Sequence, residues 1–166
     1  MNQQTALLYG RKYAGSASHR AECRELPVKI IRVREAFMAL FRGAFQEVEL
    51  TDPQWRVLRV LSTVDEIDTA ALAERAILLG PSLTRILRDL DQRGLVTRRS
   101  SRLDARRSLH SITPEGLRII DEIIPRFDPF YQSLARRMDQ GDVAQLGALL
   151  DMLLDNLDAA IKDSEE

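Results

Sequence analysis

The chain has 166 residues, 45% of them apolar, and a net charge of −1, which bounds it as one domain or a domain with an extension. Aromatic residues make up 5% of it, so any core is mainly aliphatic. No apolar run approaches the ~18 residues of a membrane span, and Ala6–Tyr9 is too short for the core of a secretory signal. A single cysteine, Cys23, excludes an internal disulfide; with no export signal it sets the expectation of a reducing, cytoplasmic location. The near-neutral total hides a strong asymmetry. From Pro81 to Arg107 eight arginines stand against three aspartates, a net +5, while from Asp139 to Glu166 eight acids stand against Lys162, a net −7. An all-arginine block in a neutral chain points to a polyanion more than to a solvated helix face, because arginine pairs bidentately with phosphate and guanine.

In chain order, residues 1–26 are polar and mixed and are expected to form a mobile arm. Pro27 opens a helix to about Val48 with Ile30, Val33, Phe37, Leu40, Phe41 and Ala44 at helical spacing. Thr51 or Asp52 caps a second helix, with Pro53 in its first turn and Trp55, Leu58 and Leu61 on its apolar face. Asp65–Thr69 is a short connection, and Asp68 or Thr69 caps a third helix, Ala70 to Ala76. After a tight turn at Ile77–Gly80, the stretch Pro81–Arg93 reads as a helix with Leu83, Ile86, Leu87 and Leu90 on one side. Ser82, Thr84, Arg85 and Arg88 lie off that stripe, and Gly94 ends the helix in the left-handed conformation that glycine adopts most easily. A short helix, a turn and an Arg-bearing second helix make a helix-turn-helix.

Leu95–Ser100 and Ser108–Ile112 read as two strands around a polar loop, a wing that carries Arg99, Arg102, Asp104, Arg106 and Arg107. Thr113 caps the next helix, whose stripe runs Leu117, Ile120, Ile124, Phe127, Tyr131, Leu134 and Met138 with Pro125 and Pro129 inside. Beyond Asp139–Asp142, the residues Val143, Leu146, Leu150, Leu153, Leu157 and Ile161 follow at three- and four-residue steps, as in a coiled coil. The expected fold is therefore mainly α, an α+β winged helix-turn-helix lobe with a helical dimerisation layer. The expected division is arm 1–26, N-terminal dimerisation helix 27–50, DNA-binding lobe 51–116 and C-terminal dimerisation helices 117–166.

The order and spacing of Leu72-Ala73-Glu74-Arg75, Pro81-Ser82-Leu83-Thr84-Arg85, Gly94-Leu95-Val96, Asp104-Ala105-Arg106 and Ile112-Thr113-Pro114-Glu115-Gly116 resemble the MarR family of winged-helix regulators. Arg34-Glu35-Ala36, Phe41-Arg42 and Gln54-Trp55-Arg56 look like the branch that regulates homoprotocatechuate (4-hydroxyphenylacetate) degradation operons. The arm departs from that branch by its length, and His110 replaces a residue that is usually apolar. The resemblance implies a homodimer on a pseudo-palindromic operator, usually a repressor. It implies that Ser82, Thr84 and Arg85 face the major groove, that Arg106 enters the minor groove, and that Asp104 braces the wing. Arg98, Arg99, Arg102 and Arg107 are then phosphate contacts, and Arg88 is a further DNA-binding residue.

The family often binds small aromatic acids, and Arg34, Phe37, Phe41, Trp55 and Arg56 are the candidates to hold one here. The competing assignment makes the three rings core and the two arginines braces. Cys23, flanked by Arg20 and Arg24, offers a redox sensor as an alternative signal. A winged helix used only for protein contact is a further alternative, which the Arg-rich face opposes. His19 and His110 lie in different elements, and no metal-ligand cluster, phosphate loop or nucleophile motif is present, so neither an enzyme nor a metal or other cofactor is expected.

Overall fold

The computed structural model describes residues 17–100 and 107–165. It divides into two compact units, Met1–Gly43 and Ala44–Glu166. Most of α1, Ala17–Glu47, belongs to the first unit. The second holds the end of α1, then α2 (Asp52–Leu61), β1 (Ile67–Asp68), α3 (Thr69–Arg75), α4 (Gly80–Gln92), β2 (Val96–Ser100), β3 (Ser108–Ile112), α5 (Pro114–Ala135) and α6 (Gln140–Glu165).

The start of α1 corrects the expectation that Pro27 opens it. The helix begins at Ala17, and Pro27 lies inside. Residues Ala17 to Leu26 contain no glycine and are rich in Ala, Arg, Glu and Leu, the strongest helix formers. That propensity extends the helix into what composition alone marks as an arm. Val28, Ile30, Ile31, Val33 and Leu40 of α1 are exposed.

In the second unit the local signals are obeyed closely. Thr51 caps α2 with a capping box, accepting from the Gln54 N–H while the Gln54 side chain accepts from the Thr51 N–H. Asp68 caps α3 through the N–H groups of Ala70 and Ala71, each at 3.0 Å. Gly94 follows α4 at φ +70°. Thr113 caps α5 by accepting from the Gly116 N–H at 3.0 Å, and its hydroxyl donates to the Gly94 carbonyl at 2.7 Å. The chain therefore leaves the wing and enters α5 with both turns tied together. A Cβ on Gly116 would stand 2.3 Å from the Leu95 carbonyl oxygen, so the approach of α5 to the end of α4 requires glycine there.

The sheet is three-stranded and antiparallel in the order β1-β3-β2, with Ile67 opposite His110 and Arg98 opposite His110 on the other side. The two-residue β1 is an addition to the sequence reading, which took Asp65–Thr69 as a connection. The core combines Val57, Leu58 and Leu61 of α2 with Leu72, Leu83, Leu87, Leu90, Ile123 and Phe127. Phe45, Trp55 and Phe127 close one end, with ring centroids 5.6 to 5.9 Å apart.

The stripe expected on α5 is displaced. The buried residues are Ile119, Ile120, Ile123 and Phe127, whereas Leu117, Ile124 and Tyr131 are exposed. This helix has two apolar faces, and among the described residues one of them is buried. The apolar residues Val143, Leu146, Leu150, Leu157 and Ile161 of α6 are exposed as well.

Candidate nucleic-acid interface

Leu83, Leu87 and Leu90 anchor α4 in the core, at an apolar face of the helix. Ser82, Thr84, Arg85 and Arg88 are consequently turned outward, and all four are exposed. The Thr84 hydroxyl donates to the Gly80 carbonyl at 3.0 Å, so it keeps its methyl group and its accepting lone pairs for a ligand. Arg85 and Arg88 make no hydrogen bond or ion pair among the described residues. Two unpaired guanidinium groups on one exposed helix face can take phosphate oxygens or the O6 and N7 of guanine.

The other arginines of the basic block are engaged. Arg93 donates to the carbonyls of Glu49 at 2.8 Å and Val48 at 3.2 Å, clamping the turn after α1 to the end of α4. Arg98 donates to Ser108 across the hairpin at 2.9 Å. Arg99 grips both carboxylate oxygens of Glu66, and Arg107 pairs with Asp68. Arg99 and Arg107 thus tie the hairpin to the segment before α3, while their side chains stay exposed. The acids that hold them lie 33 and 39 residues away in sequence, which hid the pairing from a linear reading. Arg102, Asp104 and Arg106 lie outside the described residues.

These pairs have electrostatic signatures. The Ala71 N–H and the Arg107 guanidinium hold the Asp68 carboxyl below the usual range. The hydrogen bonds that Arg99 donates to the Glu66 carboxylate raise the Arg99 pKa further. His110 is 4% exposed, the one buried polar side chain among the described residues. Its Nε2 meets the Thr69 hydroxyl at 3.0 Å, and its Nδ1 is buried without a partner. Burial lowers its pKa, as does Arg98 opposite, while Asp91 acts against them.

The five residues assigned to a small ligand fall into two groups. In the first unit, Phe37 and Phe41 tilt against each other with centroids 6.1 Å apart, and Arg34 pairs with Glu35 at 2.8 Å. In the second unit, Trp55 is buried against Phe45 and Phe127. Arg56 donates to the carbonyls of Ala76 and Ile77, each at 2.9 Å, and faces Asp52 at 3.4 Å. For Trp55 and Arg56 the core-and-brace assignment is the one the geometry favours. Cys23 is exposed.

Residues 49–107 match the MarR family, a span that covers α2 through the wing. The chain is 35% identical over 123 residues to the HTH-type transcriptional regulator FarR of Neisseria gonorrhoeae, covering 74% of this chain and 84% of that one. It belongs to the MarR family. A second MarR-type relative is the homoprotocatechuate degradative operon repressor of Escherichia coli, 32% identical over 126 residues, with 76% of this chain and 85% of that one covered. Among solved structures, NadR in complex with 4-hydroxyphenylacetate is 32% identical with a TM-score of 0.70, covering 86% of this chain and 96% of that one. A mutant MarR from E. coli complexed with operator DNA is 25% identical with a TM-score of 0.73, covering 80% and 96%. The protein is therefore a MarR-family transcriptional regulator with a winged helix-turn-helix, and its relatives are regulators rather than enzymes.

Proposed function

We propose that the chain is a homodimeric repressor that binds a pseudo-palindromic operator in the cytoplasm, controls an aromatic-compound catabolic operon and is released by a small aromatic acid. The observation that carries the DNA-binding part is the exposed face of α4, where Arg85 and Arg88 stand without partners among the described residues, beside Ser82 and Thr84. Arg85 reads guanine and Arg88 meets the backbone. Arg106 enters the adjacent minor groove, Asp104 braces the wing, and Arg102 adds a phosphate contact. A second copy covers the apolar residues exposed on α1 and α6 and spaces the two reading helices about one turn of DNA apart, ~34–36 Å. Among the described residues no helix is long and apolar enough to cross a membrane.

A gel shift with the DNA upstream of the chain's own gene tests the reading. A discrete, salt-sensitive complex is expected, and no binding at low salt would reject it. The homoprotocatechuate repressor among the relatives and the 4-hydroxyphenylacetate in NadR support an aromatic acid as the effector. We assign its carboxylate to Arg34 and its ring to Phe37 and Phe41. Thermal stabilisation by 4-hydroxyphenylacetate is expected for the wild-type chain and for Arg56→Ala, and is lost in Arg34→Ala. Stabilisation that survives in Arg34→Ala rejects the assignment. The relatives favour neither a redox sensor acting through Cys23 nor a module for protein contact alone.

A further inference from the structure

The turn between α3 and α4 breaks two local rules within three residues. Ile77 has φ +54°, the left-handed region where glycine or asparagine is at ease and a β-branched side chain is crowded. Leu79 is the N-cap of α4 and gives the helix no side-chain hydrogen bond, at a position where Ser, Thr, Asp or Asn would cap it. Both choices weaken the fold, and burial does not offset them. Ile77 is 80% exposed and Leu79 78%, the two highest values among the large exposed hydrophobics of the described residues. Nor is the turn loose. The Ile77 N–H donates to the Glu74 carbonyl at 3.0 Å and the Leu78 N–H to Ala73 at 2.9 Å, while Arg56 holds the carbonyls of Ala76 and Ile77. Two aliphatic side chains are thus fixed in water at the N-terminal end of the helix that presents Ser82, Thr84 and Arg85.

When a helix-turn-helix docks, the N-terminal residues of its second helix meet base edges in the major groove. Each A·T pair carries there the C5-methyl group of thymine, an apolar knob suited to an aliphatic side chain. We propose that Leu79, with Ile77 two residues upstream, reads thymine methyl groups within each half-site, beside the guanine read by Arg85. The proposal rests on the DNA-binding reading above and adds to it a second, apolar mode of base recognition. The surroundings favour DNA over a protein as the occupant, because Arg85 and Arg88 on the same helix are exposed and have no carboxylate partner among the described residues. A turn with only a structural duty has no reason to keep an isoleucine and a leucine where glycine and serine fit better.

The test uses the full-length chain and a duplex recovered by in vitro selection from random DNA, resynthesised with deoxyuridine in place of thymidine at one position at a time. For the wild-type chain, at least one replacement per half-site weakens binding about fourfold, the worth of one buried methyl group. In Leu79→Ser or Ile77→Gly that difference between thymine and uracil disappears while Tm rises, since serine caps the helix and glycine relieves the left-handed residue. Recovery of no duplex refutes the DNA-binding reading and the proposal with it. A wild-type chain that binds thymine and uracil duplexes alike, or variants that both keep the fourfold penalty, overturns the proposal and leaves DNA binding standing.

Discussion

Arg88 and Arg93 come from the same arginine block, yet only Arg88 is without a partner among the described residues, while Arg93 donates to the carbonyls of Glu49 and Val48. Their substitutions separate accordingly. Arg88→Ala lowers the slope of log K against log salt by about two and leaves Tm unchanged, as expected for one lost phosphate contact in each copy of the proposed dimer. Arg93→Ala leaves the slope unchanged and costs about 1–2 kcal/mol of stability, because two carbonyls lose a charged donor. Titration of both variants against one duplex, with thermal melts alongside, checks the pair. His110 supports a pH prediction at the same scale. Its folded-state pKa lies below the ordinary 6.5, so the unfolded chain binds the extra proton first. The stability that neutral His110 permits is complete above about pH 6.5 and is lost as pH falls from there toward the depressed value. The groups facing it are the Thr69 hydroxyl on α3, Arg98 on β2 and Asp91 in α4, with Ile67 opposite on β1. Melting curves between pH 7.5 and 5.5 should fall more steeply for the wild type than for His110→Leu. Parallel curves would contradict that account.

At the level of elements, the entry into α5 is governed by Gly116, where an added methyl group meets the Leu95 carbonyl and the Ile112 side chain. Gly116→Ala is predicted to cost about 1–3 kcal/mol of stability, readable as a shift in urea midpoint, with the sheet and helix caps otherwise intact. The helix-turn-helix, the hairpin and their caps were legible in the sequence because each is marked by neighbouring residues: Thr51 with Gln54, Asp68 before α3, Gly94 after α4, and Thr113 with Pro114 at α5. What was hidden depends on distance along the chain. The ion pairs of Arg99 with Glu66 and Arg107 with Asp68 require β1 beside β3, and a strand of two residues leaves no periodic signal. Pro27 marks a helix boundary in the linear pattern, but the helix formers upstream of it outweigh that mark and α1 begins at Ala17. On α5 the linear pattern selected Leu117, Ile124 and Tyr131, which lie on the exposed apolar face, beside Ile120 and Phe127, which are buried. Helical spacing identifies an apolar face but cannot say which of two such faces the same chain covers.

For the whole molecule, the proposed dimer rests on the exposed apolar residues of α6 and of α1. A stable homodimer is predicted in sedimentation at micromolar concentration. Leu150→Glu combined with Leu157→Glu should shift it toward monomer, and DNA affinity should fall steeply because two half-sites are no longer read together. A wild-type chain that sediments as a monomer would remove the dimer from the account. The central claim is that the exposed face of α4 reads base sequence. It is tested most directly by the ratio of affinities for a selected duplex and a scrambled duplex at one salt concentration, compared between the wild type and Arg85→Ala. The predicted result is a fall in that ratio of about thirtyfold or more, equivalent to one lost bidentate guanine contact of ~1–3 kcal/mol in each half-site, while the affinity for scrambled DNA changes little. An unchanged ratio in Arg85→Ala would contradict the claim.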